Sequence, residues 1–534
     1  MDIVYKPWGK EIWLELNDKY CYKRIYINAG FQTSYHYHEV KLETNYIAKG
    51  KAEVWLENDS GVVEKTIKNE GDSFTVVPPR KHRVVAITDV ILQEVSTPEV
   101  DDVIRIEDDT NRSGGRLENE HAKPGVLILS AGKGERLKPL TDNISKALLP
   151  INNRAIISKL IKKFPTDYKF VITLAHKGKD IEDYLNITYP SHDFDFVYID
   201  DITTNSSGPG YSALAAKELL NRPFYLLTVD CLVTSPLPSL YENWLGVHPT
   251  SFPEKYATVD VDENGIIKKV INKSEKGFTS AFIGIASISD HEIFWKELGQ
   301  NIQNGELIDA FNNPNNYPNF KIKNLDWFDT GNLDDLEKAR IFFDDKPLSL
   351  AKHNNEIVYK EENKFLKFIP DKTRLENLLT RSRSIEKFVP KNIGIKESFL
   401  HYDWINGKTL YELNEVGKYN NFIDYYFENI ELLDSNVKDL ENFYIHKTRK
   451  RLKTFSDIYG LDYSENLYVI NGKKYPSMNE TILNFDFSKL LKNKYTKNFH
   501  GDLQFDNILY ADGEYFYVDW RDSFGSSTNY GDVY

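Results

Sequence analysis

The apolar run Val126-Leu-Ile-Leu129 marks a change in the period of the chain's hydrophobic pattern. Before it, from Tyr5 to about Thr97, short segments alternate apolar and polar residues, as in Lys23–Ile27, Ala52–Leu56, Ser73–Val77 and Val90–Val95. Such strands bury one face only. Turn signals at Asn28-Ala-Gly30, Asn58-Asp-Ser-Gly61 and Glu70-Gly-Asp72 separate them, which predicts an all-β barrel or jelly roll. A strand that is apolar throughout must be covered on both faces, as in a parallel α/β sheet. Phe170–Leu174 and Phe224–Val229 repeat that pattern with helical text between them, predicting a mainly parallel α/β sheet. The change of pattern places an expected domain boundary near residue 116, in a chain expected to be multi-domain.

A third change falls around Asp345–Ser349. Glu356–Tyr359 and Lys364–Phe368 read as paired strands, Tyr419–Leu452 as helical, and Ile508–Tyr510 with Tyr515–Asp519 as closing strands, an α+β pattern. Asp108–Pro124 reads as a linker. The expected domains are 1–116, 117–345 and 346–534.

With 534 residues, several cores are expected. Sixty-seven Lys and Arg against 80 Asp and Glu give a net charge of −13, which argues against a nucleic-acid partner. Two cysteines exclude a disulfide framework and fit a reducing cytoplasm. The opening residues are polar, unlike a signal peptide, and no apolar run is long enough for membrane insertion. A homo-oligomer is compatible with this reading.

Ser130-Ala-Gly-Lys-Gly-Glu-Arg-Leu-Lys-Pro-Leu-Thr141, followed by Lys146-Ala-Leu-Leu-Pro150, places a glycine turn between a buried strand and an expected helical segment. Gly132 and Gly134 let backbone amides approach a phosphate, and Arg136 and Lys146 supply charge to offset a transferring phosphoryl group. The stretch resembles the signature of sugar-phosphate nucleotidyltransferases over about residues 125–343, with a Rossmann-like α/β fold. The resemblance implies two Mg²⁺-holding carboxylates, Asp230 and Asp329, and attack by an acceptor phosphate on the α-phosphorus of a nucleoside triphosphate. It also implies nucleotide contacts at Ala131, Gly132, Gly134, Ser206 and Gly208, with Gly210 in the same stretch, and an acceptor-phosphate contact at Lys273.

His36-Tyr-His38 on a strand points two imidazoles to one face, with Glu43 and His82 as further candidate ligands for Zn²⁺, Fe²⁺, Mn²⁺ or Ni²⁺. Gly30, His36, His38, Glu43 and Gly50 follow the spacing of a first cupin motif, while Pro78-Pro-Arg-Lys-His82 lacks the usual glycine of the second. The region resembles the cupin part of mannose-6-phosphate isomerases fused to a guanylyltransferase, an ending shared with Asp101–Asp108. It departs from them at His36 and Lys41, where they carry Gln and Arg, and in domain order. The resemblance implies isomerase or epimerase chemistry, with Lys41 and Arg83 holding a phosphate, or a sugar-sensing barrel without catalysis.

His500-Gly-Asp502-Leu-Gln-Phe-Asp-Asn507 and Val518-Asp519-Trp520 resemble the catalytic loop of aminoglycoside and choline kinase-like phosphotransferases. Asp502 is then the base for an acceptor hydroxyl, Asn507 and Asp519 hold Mg²⁺, Lys367 contacts phosphates and Glu376 is its helix partner. That resemblance implies further helices after Tyr534. Together the three parts suggest a multifunctional enzyme making an activated sugar or polyol nucleotide for bacterial capsule or lipopolysaccharide synthesis. The alternative is a CTP-dependent cytidylyltransferase and kinase for a polyol or choline-like phosphate.

Overall fold

The computed structural model describes residues 2–108, 123–199, 208–274, 277–302, 305–343, 355–431, 438, 441–460, 467–486, 488, 495–496, 498, 500–522 and 527–528. Most of the expected linker, and Ser206, lie outside them. The chain forms two compact units, Met1–Ile151 with Ala155–Glu182 and Tyr189–Phe343, and Asn152–Arg154 with Asp183–Thr188 and Asp344–Tyr534.

In the first unit, the alternating segments form two antiparallel sheets of six and five strands. Alternation is visible in Cys21–Ile27, whose odd-numbered residues are buried and whose even-numbered ones are partly wetted. Ile25, Ile47, Val54, Phe74, Val84 and Leu92 fill the space between the sheets. The hydrophobic effect along one face of each strand is therefore enough to set which side faces inward.

The same unit holds a nine-stranded mixed sheet. Gly125–Leu129 is buried at every position and runs parallel to both Lys169–Leu174 and Phe224–Thr228. Ser280–Ile288 pairs antiparallel with Phe224–Thr228 and with Trp244–Pro249, so the expected mainly parallel sheet carries an antiparallel strand in its middle. Continuous apolar text shows that a strand is covered on both faces but says nothing of its direction, which explains the difference.

The expected helix after the glycine turn does not form there. Glu135–Leu137 and Lys146–Leu148 are single 3₁₀ turns, and the next α-helix is Ile156–Ile161. Lys138 is extended ahead of Pro139, whose ring disfavours a helical residue before it and whose nitrogen carries no hydrogen. The segment directly after this loop therefore supplies no helix dipole to it.

In the second unit, a four-stranded sheet contains Ile357–Glu361, Lys364–Phe368, Gly394–Lys396 and Phe399–Asp403. The helix Lys372–Ser384 is capped by the Asp371 side chain, which accepts from the Arg374 amide. The expected helical stretch appears as Val416–Asn429 and Lys447–Tyr459. The strands Ile508–Ala511 and Glu514–Tyr517 close a hairpin beside the motif loop. No helix among the described residues is long and apolar enough to cross a membrane.

Candidate functional site

Asp230 follows the buried strand Phe224–Thr228, where the sheet delivers it to a carboxyl edge. Asp329 closes Trp327–Asp329, and pairing of that strand with Cys231–Val233 sets Asp329 opposite Cys231, next to Asp230. Lys146 Nζ lies 2.9 Å from Asp230 Oδ2. Burial alone would raise the Asp230 carboxyl, but the Lys146 ammonium overcomes this and holds it at about 2. Asp329 is pushed up by burial and by Asp230, against the pull of the Gly331 amide and Arg136.

A methyl group on Gly331 would sit 2.9 Å from Asp329 Oδ1, 3.0 Å from Arg136 Nη2 and 3.4 Å from Asp230 Oδ2. Two carboxylates and a guanidinium thus surround one point. The Gly331 amide donates to Asp329 Oδ1 at 2.7 Å. A side chain at 331 would push this carboxylate aside, so we expect Gly331→Ala to lower nucleotidyl transfer by about 10²-fold, as ~1 Å misplacements do. Circular dichroism and pyrophosphate release measured on the same variant check that expectation.

The glycine loop closes the other side. A methyl on Gly132 would lie 3.8 Å from Lys146 Nζ, and Gly134, at φ +71°, accepts from the Thr141 hydroxyl at 2.9 Å. Ala131 is buried behind the loop. Gly208 and Gly210 are set by a backbone crossing: Gly210 donates to the Gly305 carbonyl at 2.7 Å, and a methyl on Gly208 would meet that oxygen at 2.3 Å. Lys273 is exposed beside a turn, where its amide donates to Asn272 Oδ1 at 2.9 Å. Sequence reasoning missed Tyr256, whose hydroxyl donates to Asp329 Oδ2 at 3.3 Å and is pushed up to about 12 by burial and that carboxylate. A lone tyrosine outside any motif carries no sequence signal; Gly331 stands two residues after Asp329.

In the β-sheet segment, His36, His38 and His82 bring their ligand atoms within 4.8 Å of one another. The register pairs His36 with His82 across two strands. Each Nδ1 faces a backbone carbonyl, of Ser34 at 2.8 Å, of Asp102, and of Arg80 at 3.3 Å respectively. Those bonds leave the Nε2 atoms as the converging electron-pair donors. Burial and the other two imidazoles hold His36 well below the ordinary histidine range, so it stays neutral and able to bind a metal.

Glu43 Oε2 lies 3.5 Å from His38 Nε2 and Glu43 Oε1 3.3 Å from His82 Nε2. Glu43 thus stands beside two of the three imidazoles, while the set whose ligand atoms all converge is His36, His38 and His82. Lys41 is buried between Glu43 Oε2 at 2.6 Å and Glu94 Oε1 at 2.8 Å. Its charge is matched by two carboxylates. Arg83 lies near Glu107 Oε2, at 3.6 Å.

In the second unit, Lys367 Nζ stands 3.0 Å from Asp519 Oδ1, and Asp519 is in a left-handed turn at φ +58°. Asn507 Nδ2 donates to the Asp502 carbonyl at 2.8 Å. Asp502 Oδ2 meets Arg521 at 3.1 Å, and the His500 ring spans from the Asp502 amide to the Val518 carbonyl. The loop is thereby tied to the hairpin that carries Asp519. Glu376 is exposed and is not the partner of Lys367, which pairs with Glu356 instead.

Residues 125–205 match the family described as nucleotidyl transferase. Arg136 and Lys146 both lie inside the match. The chain is similar to the bifunctional protein GlmU of Methanococcus vannielii, 29% identical over 196 residues, which cover 34% of this chain and 45% of that protein. It is also similar to the low-salt glycan biosynthesis nucleotidyltransferase Agl11 of Haloferax volcanii, 24% identical over 252 residues, covering 42% and 67%. The chain spans less than half the length of the first of these relatives. Among solved structures, the inositol-1-phosphate CTP transferase from T. maritima aligns at 17% identity and a TM-score of 0.36, over 42% of this chain and 96% of that one.

Proposed function

We propose that residues 125–343 transfer a nucleotidyl group from a nucleoside triphosphate to a sugar or polyol phosphate. One observation carries this reading: Arg136, Asp230 and Asp329 surround a single point and Lys146 pairs with Asp230. An oxygen of the acceptor phosphate attacks the α-phosphorus, and the bond to pyrophosphate breaks. Arg136 and Lys146 offset the charge that develops on the phosphoryl oxygens, and Tyr256 with the Gly331 amide holds Asp329 in place. Two adjacent carboxylates, one of them pushed up by burial and by the other's charge, suit a hard cation, so Asp230 and Asp329 would hold Mg²⁺. When bound it neutralises charge between the two phosphates. Pyrophosphate release, screened with four nucleoside triphosphates against sugar and polyol phosphates, tests the assignment; no release with any pair overturns it.

The flanking parts extend the proposal, with domains at 1–116, 117–345 and 346–534. The first is a cupin holding a divalent transition metal on His36, His38, Glu43 and His82. The last is kinase-like, with Asp502 taking the proton of an acceptor hydroxyl as it attacks a γ-phosphorus. The three together fit synthesis of an activated sugar or polyol for a bacterial surface polymer. One observation favours a sensing rather than isomerising cupin: Lys41 is committed to Glu43 and Glu94 and does not offer a charge to a sugar phosphate. Unchanged aldose–ketose ratios in hexose and pentose phosphates incubated with the metal-loaded chain support sensing; turnover restores the isomerase reading.

A further inference from the structure

Asp522, Arg374, Glu356, Lys367 and Asp519 form one continuous chain of ion pairs. Arg374 Nη1 lies 2.8 Å from Asp522 Oδ1 and Arg374 Nε 2.8 Å from Glu356 Oε1. Lys367 Nζ lies 3.0 Å from Glu356 Oε2 and 3.0 Å from Asp519 Oδ1. The side chains of Glu356, Lys367 and Asp519 are 2%, 5% and 7% exposed, so each charge depends on its neighbours for compensation.

These residues come from four separate places. Glu356 precedes the strand Ile357–Glu361, Lys367 lies on Lys364–Phe368, Arg374 is in the first turn of Lys372–Ser384, and Asp519 and Asp522 follow Glu514–Tyr517. One guanidinium reaches two carboxylates from two of its nitrogens, which a lysine's single ammonium cannot do with the same geometry. The helix therefore contributes a cation, Arg374, and the carboxylate beside Lys367 is Glu356, which precedes a strand.

We propose that Glu356 and Arg374 are positioning residues for nucleotide binding, Glu356 aiming Lys367 at the phosphates and Arg374 tying Glu356 to the turn that presents Asp519. This rests on the kinase-like reading of residues 346–534. Lys367 is shared by Glu356 and Asp519 without nucleotide. Once Asp519 faces a magnesium–nucleotide complex, Glu356 remains as the anion that keeps the lysine in line. Arg374 holds the lysine-bearing sheet and the Asp519 turn at a set separation before the nucleotide arrives, which lowers the ordering cost of binding.

The full chain, treated with an ATP acyl-phosphate that acylates lysines beside bound phosphates, gives a readout at Lys367 by peptide mass spectrometry. In the wild type, Lys367 is labelled and Mg-ATP suppresses the label. In Glu356→Gln and Arg374→Met the half-protecting ATP concentration rises about tenfold, the loss expected for one charged hydrogen bond. Arg374→Lys behaves like Arg374→Met, because charge alone does not replace the two-pronged contact, and Glu376→Gln behaves like wild type. Adding Asp522→Asn to Arg374→Met causes no further rise, because the two residues act as one pair. Wild-type protection in both Glu356→Gln and Arg374→Met overturns the positioning roles while leaving the kinase-like reading intact. Absence of ATP protection at Lys367 in the wild type overturns that reading and the proposal with it.

Discussion

On the proposed function, Asp230→Asn and Asp329→Asn are each expected to lower pyrophosphate release by about 10²–10³-fold, the usual loss when a group that holds developing charge is removed. The two substitutions keep the shape of the side chain and remove its charge. For Asp230, the loss also frees Lys146, now 2.9 Å from a carboxylate oxygen, to swing away from the reacting phosphates. For Asp329, the amide keeps one acceptor for the Gly331 N–H but no longer offers an anionic oxygen to a cation. Both variants should fold, because the strands that carry these residues are held by backbone pairing and apolar burial. Turnover measured at saturating Mg²⁺ decides the matter: rates near wild type in either variant remove that residue from the site. Asp329→Asn also relieves the burial of a charge and its repulsion by Asp230, so its melting temperature is expected to stay equal or rise while activity falls.

His36→Ala combined with His38→Ala is expected to abolish transition-metal binding, from about one ion per chain to none after dialysis. Three imidazoles converge within 4.8 Å, and removing two leaves His82 and Glu43, too few ligands for tight binding. The single variant Glu43→Gln separates two further effects. It removes a negative ligand 3.3 and 3.5 Å from two histidine nitrogens, and it leaves Lys41 buried with Glu94 as its remaining partner. Metal should therefore weaken and stability fall together in Glu43→Gln, whereas the histidine pair loses metal with a smaller change in the metal-free melting point. Elemental analysis of dialysed protein reads the metal, and equal content in wild type and the double histidine variant would reject the site.

Alternation in Cys21–Ile27 and continuous burial in Gly125–Leu129 were both legible, since strand burial follows directly from the order of apolar residues. His36 and His38 were legible as a pair because two residues apart on a strand means the same face. Their convergence with His82 needed the fold, as that residue stands on a different strand, joined only by the register His36 to His82. The commitment of Lys41 to Glu43 and Glu94 was hidden for the same reason: an ion pair to Glu94 spans 53 positions of sequence.

Local order along the chain determined which segments are strands, where glycine must let backbones approach, and which carboxylates, imidazoles and cations are available for chemistry. Those properties depend on periods of two or four residues and on side-chain type, both printed in the sequence. Tertiary structure alone decided partnerships and directions. It set the antiparallel strand Ser280–Ile288 inside the sheet and the 3₁₀ turns in place of a helix after the glycine loop. It joined Tyr256 to Asp329, and it replaced Glu376 by Glu356 beside Lys367. Each of these depends on which distant segments share a buried space, and a charge in that space takes whichever opposite charge the packing brings within about 3 Å.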